Sequence, residues 1–400
     1  MKRINVVDSI MGAGKTSWAL QYIEQSPPDK KFIYITPYLD EVQRVITSVT
    51  SRAFIEPNNR NSEGRKLRSL KQLIADGRDI AATHSLFKAA DDELIQLLTD
   101  SGYELILDEV MNVVSSAEIS SDDIKTLIDA GHIEVVNNRV NWISDRYVDG
   151  RFTDIKLLAQ AGTLFLHRKS FLVWTFPPRI FQTFDNVYVL TYLFKAQVQR
   201  YYYDMHGLEY DFYAVKHNGQ AYELTAYDQY TEQRKELIAL VDVYEGKLND
   251  IADRRNVLSS NWFGSASADK IAEIKRNVYN YFRNIVRAKT DEIMWTTLKD
   301  REKDIAGRGY TKSFTACNLR ATNEYADKWA LAYVYNRYYP HHERVFFEDH
   351  GINVDQDLFA VSELLQWVWR SRIRKGGPIK LYLPSIRMRS LLKAWAMYEI

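Results

Sequence analysis

The chain has 400 residues, 46% of them hydrophobic, with 53 basic and 52 acidic side chains and a formal net charge of +1. This length suggests two domains of ordinary size, and the charge balance excludes a global electrostatic case for nucleic acid, so any basic track must be local. A lone cysteine, Cys317, excludes a disulfide framework and a cysteine-based zinc site; with no apolar run of the roughly 18 residues a membrane span needs, a cytoplasmic protein with no membrane partner is expected.

The apolar run Ile4-Asn5-Val6-Val7-Asp8 reads as a buried strand. Directly after it, Ser9-Ile10-Met11-Gly12-Ala13-Gly14-Lys15-Thr16 reads as a phosphate-binding loop opening a helix. Two glycines let successive N–H groups turn toward an anion, Lys15 places a cation beside the outer phosphates, and Thr16 offers a hydroxyl to Mg²⁺. The helix dipole adds to the attraction. Ser9, Met11, Gly12, Ala13, Gly14, Lys15, Thr16 and Ser17 are the candidate nucleotide contacts. Ser9 stands where the usual pattern opens with glycine, a departure that weakens a kinase reading more than a helicase one.

Helical spacing runs from Thr16 to Glu24, and Lys31–Pro37 reads as a second strand ended by proline. A helix follows from Asp40. Asp79–His84 and Tyr103–Glu109 read as a third and a fourth strand. Alternation of this kind implies crossover helices and a parallel sheet with ligands at the carboxyl ends of its strands. Asp108-Glu109 lies at such an end: Asp108 can hold Mg²⁺ through water, and Glu109 can take a proton from the water that attacks a γ-phosphate. The alternative is a pair of acids that caps the next helix.

From Met111 to about Phe171 the alternation stops. Ser120–Ala130 reads as a helix and His132–Ile143 as a hairpin around Asn137-Asn138, so the stretch is expected to be an insertion: a strand-separating pin, a partner surface or a cover over the sheet. Phe171–Phe176 is expected to resume the central sheet, followed by Asn186–Phe194, in which Thr191 could sense the γ-phosphate. Farther on, Tyr230–Asp253 and Ser267–Lys289 carry helical spacing. Glu292–Thr297, Ser313–Cys317, Leu331–Tyr335 and Ile379–Leu383 read as strands of a second α/β unit with no phosphate loop of its own.

Glu363–Arg374 reads as one helix, with Gln366, Arg370 and Arg374 along one side and Arg372 roughly opposite Arg370. Arginines there suit the spreading charge of a transferring γ-phosphoryl group; the alternative is a basic helix lying on solvent or on a nucleic-acid backbone. From Arg370 onward Arg372, Arg374, Lys375, Lys380, Arg387, Arg389 and Lys393 accumulate, a candidate local basic track.

In this order the segments resemble superfamily 2 helicases, DEAD/DEAH-type in the broad sense, and in particular compact phage-encoded DNA helicases. Ser9–Thr16 matches motif I, Ile35-Thr36-Pro37 motif Ia, and Ala82-Thr83-His84-Ser85 the next backbone-contacting segment. Asp108–Met111 occupies motif II, Leu190-Thr191-Tyr192 motif III, Arg320–Tyr325 motif V and Gln366–Arg374 motif VI. Val110-Met111 departs from both the DEAD and the DEAH box, and Tyr192 from the usual motif III.

The resemblance implies an α/β protein of two tandem RecA-like domains with mostly parallel central sheets. The first would span residues 1–205, with a helical/hairpin insertion at about 112–170; the second, 206–400, would supply arginine fingers. ATP and Mg²⁺ are the implied cofactors, with Lys15, Glu109, Gln366, Arg370 and Arg374 catalytic and Thr16 and Asp108 at the metal. Thr36, Pro37, Thr83, His84, Arg320, Thr322 and Asn323 would touch nucleic acid, with single-stranded or branched DNA the expected partner. Replication proteins are further candidate partners, and a monomer that translocates during replication or recombination is the implied activity. An ATP-switched binding module without unwinding and a packaging-motor ATPase are the alternatives.

Overall fold

The structure, a computed structural model, describes residues 3–318 and 324–400. One compact unit comprises the chain up to Ser9, Ala13–Tyr227 and Pro340–Val354; the second comprises Asp228–Tyr339 and Asp355–Ile400, with Ile10–Gly12.

The first unit is built on β1 (Ile4–Asp8), β2 (Lys31–Thr36), β3 (Ile80–Thr83) and β4 (Tyr103–Asp108). An insertion follows, carrying β5 (Val114–Ser116), β6 (Ile133–Val136), β7 (Arg139–Trp142), β8 (Leu164–His167) and β9 (Phe171–Thr175). The chain then returns as β10 (Asn186–Thr191), β11 (Tyr210–His217) and β12 (Tyr222–Ala226).

The main sheet has the order β12-β11-β1-β10-β4-β2-β3, parallel throughout except for β12, which turns back along β11. Strands buried on both faces are near-continuous apolar runs, as parallel packing between helices requires. Val7 of β1 and Phe32 and Tyr34 of β2 share a core with Trp18, Ala19 and Ile23 of the helix Lys15–Gln25 and with Val42 and Val45 of the helix Leu39–Ser48.

The insertion forms an antiparallel sheet of its own, β5-β9-β8-β7-β6, and its hairpin turns at Asn137-Asn138, both at positive φ. Phe171–Phe176 does not return to the main sheet as expected. It supplies β9, a buried inner strand between β5 and β8, and the main sheet resumes only at β10. A short apolar run reports burial on both faces but not which sheet does the burying.

The boundary expected between residues 205 and 206 is also moved. β11 pairs with β1, Ile4 opposite Tyr210, so the first unit continues to Tyr227. It then recovers Pro340–Val354 from far along the chain. The helix His341–Asp349 in that segment is fastened by side chains that sequence spacing cannot pair. Glu343 accepts from the N–H and hydroxyl of Ser116, both at 3.1 Å. Asp349 accepts two bonds from Arg168, at 2.7 and 2.6 Å, and lies 2.8 Å from His167. These hold its carboxyl down at about 2, the Arg168 bonds foremost. His342 stacks on Phe171 at 4.6 Å, and Phe347, fully buried, meets Tyr201 at 5.7 Å.

The second unit has the all-parallel sheet β13-β16-β15-β14, from β13 (Val241–Val243), β14 (Ile293–Thr297), β15 (Ala330–Val334) and β16 (Ile379–Tyr382). Two sequence expectations are corrected here. Tyr230–Asp253 is not one helix: a short helix at Arg234–Ile238 gives way to β13, where alternating valines pair with β16. Ser313–Cys317 is not a strand: Phe314 makes a single bridge to Trp295 and packs edge-on against it, rings 5.2 Å apart.

Candidate functional site

At the carboxyl edge of the main sheet, β1 leads into the loop Ser9–Gly14, β10 lies next to β1, and β4 lies beyond β10. Register places Asp8 opposite Thr191, and Leu190 opposite Asp108. In an open parallel sheet this edge is where ligands sit. Gly12 and Gly14 have φ of 85° and 95°, a region that favours glycine, and the loop passes directly into the helix Lys15–Gln25.

Ser9 explains itself structurally. Its hydroxyl accepts from Val215 N–H at 2.8 Å while its own N–H donates to Thr191 at 3.1 Å, tying the start of the loop to β11 and β10. A glycine there would lose the first bond. Asp8, buried, accepts from the N–H groups of Leu193 and Phe194 at 2.9 and 2.8 Å and braces the turn after β10. The Lys15 ammonium donates to the Ser9 carbonyl across the loop. Met11 and Ala13 are half-buried, and Ser17 is exposed on the first turn.

Thr16 and Asp108, far apart in sequence, meet here: Thr16 Oγ1 donates to Asp108 Oδ2 at 3.1 Å. A second donor, unforeseen from sequence, reaches the same oxygen, since the Tyr34 hydroxyl lies 2.7 Å from it. Removal from water, and next to it the charge of Glu109, raises the Asp108 carboxyl to about 6, although the Tyr34 and Thr16 bonds pull the other way. The threonine hydroxyl and the carboxylate are the hard oxygen donors Mg²⁺ takes, and a cation would relieve the desolvated charge. Among the described residues no group of three or more His, Cys, Asp or Glu offers another metal site.

Glu109 has φ of 72°, an uncommon left-handed conformation for a glutamate, fixed in part by its N–H donating to Leu190 at 2.9 Å. Between loop and carboxylates, the Thr191 hydroxyl is fully buried and has no hydrogen-bond partner among the described residues. Tyr222 of β12 is the other feature that sequence spacing missed. Its ring lies so close to Gly14 that a Cβ on Gly14 would fall 2.1 Å from it, and its backbone is bonded to Gln21 at 2.9 and 3.0 Å.

Thr36 and Thr83 are opposite one another at the ends of β2 and β3; Thr36 is buried, Pro37 and Thr83 half-buried, and His84 opens a short helix. Arg320, Thr322 and Asn323 lie outside the described residues.

In the second unit the helix Gln356–Val368 ends before Arg370, and Arg372–Lys375 forms a separate 3₁₀ turn. Gln366, Arg370 and Arg374 therefore do not share one helical face. Gln366 and Arg370 are buried, Arg374 is exposed, and Arg372 donates to the Pro378 carbonyl. The expected C-terminal basic track is also partly tied up within the unit. Lys375 pairs with Asp327, Lys380 with Asp242 and Lys393 with Glu245. Arg389 donates to the Leu383 and Pro384 carbonyls. Arg387 is buried on Asp357, Asn336 and the carbonyls of Arg337 and Gln356.

Two α/β units in tandem, the first with a glycine-containing loop near an acidic strand end, define a two-domain α/β protein of the RecA-like kind. Structure comparison agrees: the chain matches S. tokodaii Xpd4 with a TM-score of 0.51 at 11% identity, covering 100% of this chain and 94% of that one. A solved XPD helicase matches at a TM-score of 0.47 and 12% identity, over 98% and 94% of the two chains. Residues 114–174 match the YonV middle domain and residues 235–396 the YonV C-terminal Rossmann-like domain. The SPbeta prophage-derived protein YonV of Bacillus subtilis (strain 168) is 42% identical over 406 residues, 99% of each chain. The chain belongs to the YonV family.

Proposed function

We propose that this protein is a nucleic-acid-dependent ATPase that couples hydrolysis to movement along DNA and to strand separation. The observation that carries the reading is the meeting of Thr16 with Asp108, which joins a phosphate-binding loop to an acidic strand end with Glu109 beside it. In this mechanism Lys15 and the loop N–H groups bind the outer phosphates, and Thr16 and Asp108 hold Mg²⁺. When bound, the metal supplies positive charge that neutralises the phosphate oxygens. Glu109 takes the proton from the attacking water, and Thr191 orients that water or a γ-phosphate oxygen.

Arg370 of the second unit is assigned to the spreading charge of the transferring phosphoryl group, with Gln366 and either Arg374 or Arg372 beside it. A finger of this kind is worth about 10³ or more in rate. Thr36, Pro37, Thr83 and His84, with Arg320, Thr322 and Asn323, are assigned to the backbone of a DNA strand. We place the protein in the host cytoplasm, acting as a monomer in replication or recombination, in keeping with the prophage origin of its relative.

ATP hydrolysis measured alone and with single-stranded DNA, duplex DNA and RNA tests the reading. Strong stimulation by DNA is expected. Hydrolysis indifferent to every polymer would refute it and favour a switch directed at a protein.

A further inference from the structure

In the second unit, the helix Ala268–Asn280 does not end in an ordinary cap. It widens into a π turn, Tyr281–Ile285, with Val286 N–H donating back to Tyr281 at 2.9 Å and Ala288 N–H to Phe282 at 3.0 Å. Such turns cost regular hydrogen bonding and recur at functional sites. Arg287 follows in the left-handed region, φ 55°, at a cost of about 1 kcal/mol for a side-chain-bearing residue.

The result is a cavity of about 540 Å³ lined by Arg283, Arg287, Ala288, Lys289 and Thr290. Arg283 is held in place: its guanidinium donates to the Ala288 carbonyl at 2.9 Å and lies against Gly309, where a Cβ would come within 3.1 Å of it. Among the described residues, none of Arg283, Arg287 and Lys289 has a carboxylate partner for its side chain, in contrast to the C-terminal lysines. Glu292 follows nearby but does not line the cavity, and one of its oxygens accepts the Lys289 N–H at 2.7 Å.

The cavity opens just before β14, at the amino edge of the parallel sheet. Lys328 donates to the Asp291 carbonyl, and Arg372 N–H to the Lys328 carbonyl at 2.9 Å, so the same edge continues to the Arg370–Lys375 turn. Arg283, Arg287 and Lys289 are all exposed, so three cations without a carboxylate partner among the described residues stand where a polyanion can reach them.

We propose that this cavity is a phosphate-binding site for the sugar-phosphate backbone of the nucleic-acid strand, resting on the nucleic-acid partner proposed above. Backbone contacts of this kind are indifferent to base sequence and strongly dependent on salt.

The test uses the full chain and its Arg287→Ala/Lys289→Ala variant, with Lys235→Ala/Lys247→Ala as a charge-matched control in the same unit. Affinity for labelled single-stranded DNA is followed against salt by anisotropy, with urea midpoints to confirm folding. Losing two phosphate contacts at about 0.7 each should flatten the log–log salt slope by about 1.4 and weaken binding about 25-fold at about 0.1 M salt. The control should keep the parent slope, and inorganic pyrophosphate should not compete at concentrations that leave the strand bound. Parent-like slope and affinity in the cavity variant would overturn this inference alone. A parent protein that binds no nucleic acid would overturn it together with the proposed function, and displacement by pyrophosphate would reassign the cavity to a free phosphate.

Discussion

Replacing Asp108 by asparagine should stabilise the protein while abolishing its chemistry. An asparagine Oδ1 can accept from Tyr34 and Thr16 as the carboxylate does, so the perturbation removes charge and little else. A carboxyl raised from 3.8 to about 6 carries about 3 kcal/mol of penalty when ionised in the native state. The residue is only half-buried, and solvent screening reduces this to about 1–2 kcal/mol. The sign follows from proton binding. Between about pH 4 and 6 the native protein holds the proton more tightly than the unfolded chain, so its stability falls as pH rises through that window. The advantage of Asp108→Asn is therefore fully present above about pH 6 and absent below about pH 4. Urea midpoints of the two proteins, in chelator at both ends of this range, measure it; ATP with Mg²⁺ should then stabilise the parent much more than the variant, and the variant should not hydrolyse ATP. A variant less stable than the parent at neutral pH, or an advantage of equal size in acid, would refute the assignment of a desolvated, cation-ready carboxylate.

Gly14→Ala should cost about 1–2 kcal/mol from its φ of 95° and about 1–3 more from displacing the Tyr222 ring; Tyr222→Ala in that background should recover the second part only, as a double-mutant cycle would read. Arg370→Ala should lower kcat about 10³-fold with the KM for ATP changed only a few-fold, and a fall of less than about 10-fold would remove Arg370 from the chemistry. Phe347→Ala deletes a fully buried ring from the returning segment and should cost about 3–5 kcal/mol, read as faster hydrogen exchange over 340–354 with 228–339 unchanged.

What the sequence determined by itself is local. The loop from Ser9 to Thr16, the strands before it and before Asp108, and the hairpin at Asn137-Asn138 follow from glycine placement, apolar runs and turn chemistry, which act over a few residues. Periodicity, however, reports that a segment is buried and not what buries it. Hence the apolar run of β9 fits either sheet equally well, and the valines of β13 fit a helical spacing as well as a strand. Partners set by long-range folding were equally out of reach: Tyr34 on Asp108, Val215 on Ser9, Tyr222 against Gly14. The same holds for charge. A run of C-terminal lysines and arginines is legible as composition, but only the tertiary structure shows that carboxylates and carbonyls of the same unit already occupy most of them, while among the described residues Arg283, Arg287 and Lys289 have no carboxylate partner. The return of 340–354 to the first unit is the largest such case, because its anchors, Ser116, Arg168 and Phe171, are brought to it by the fold alone.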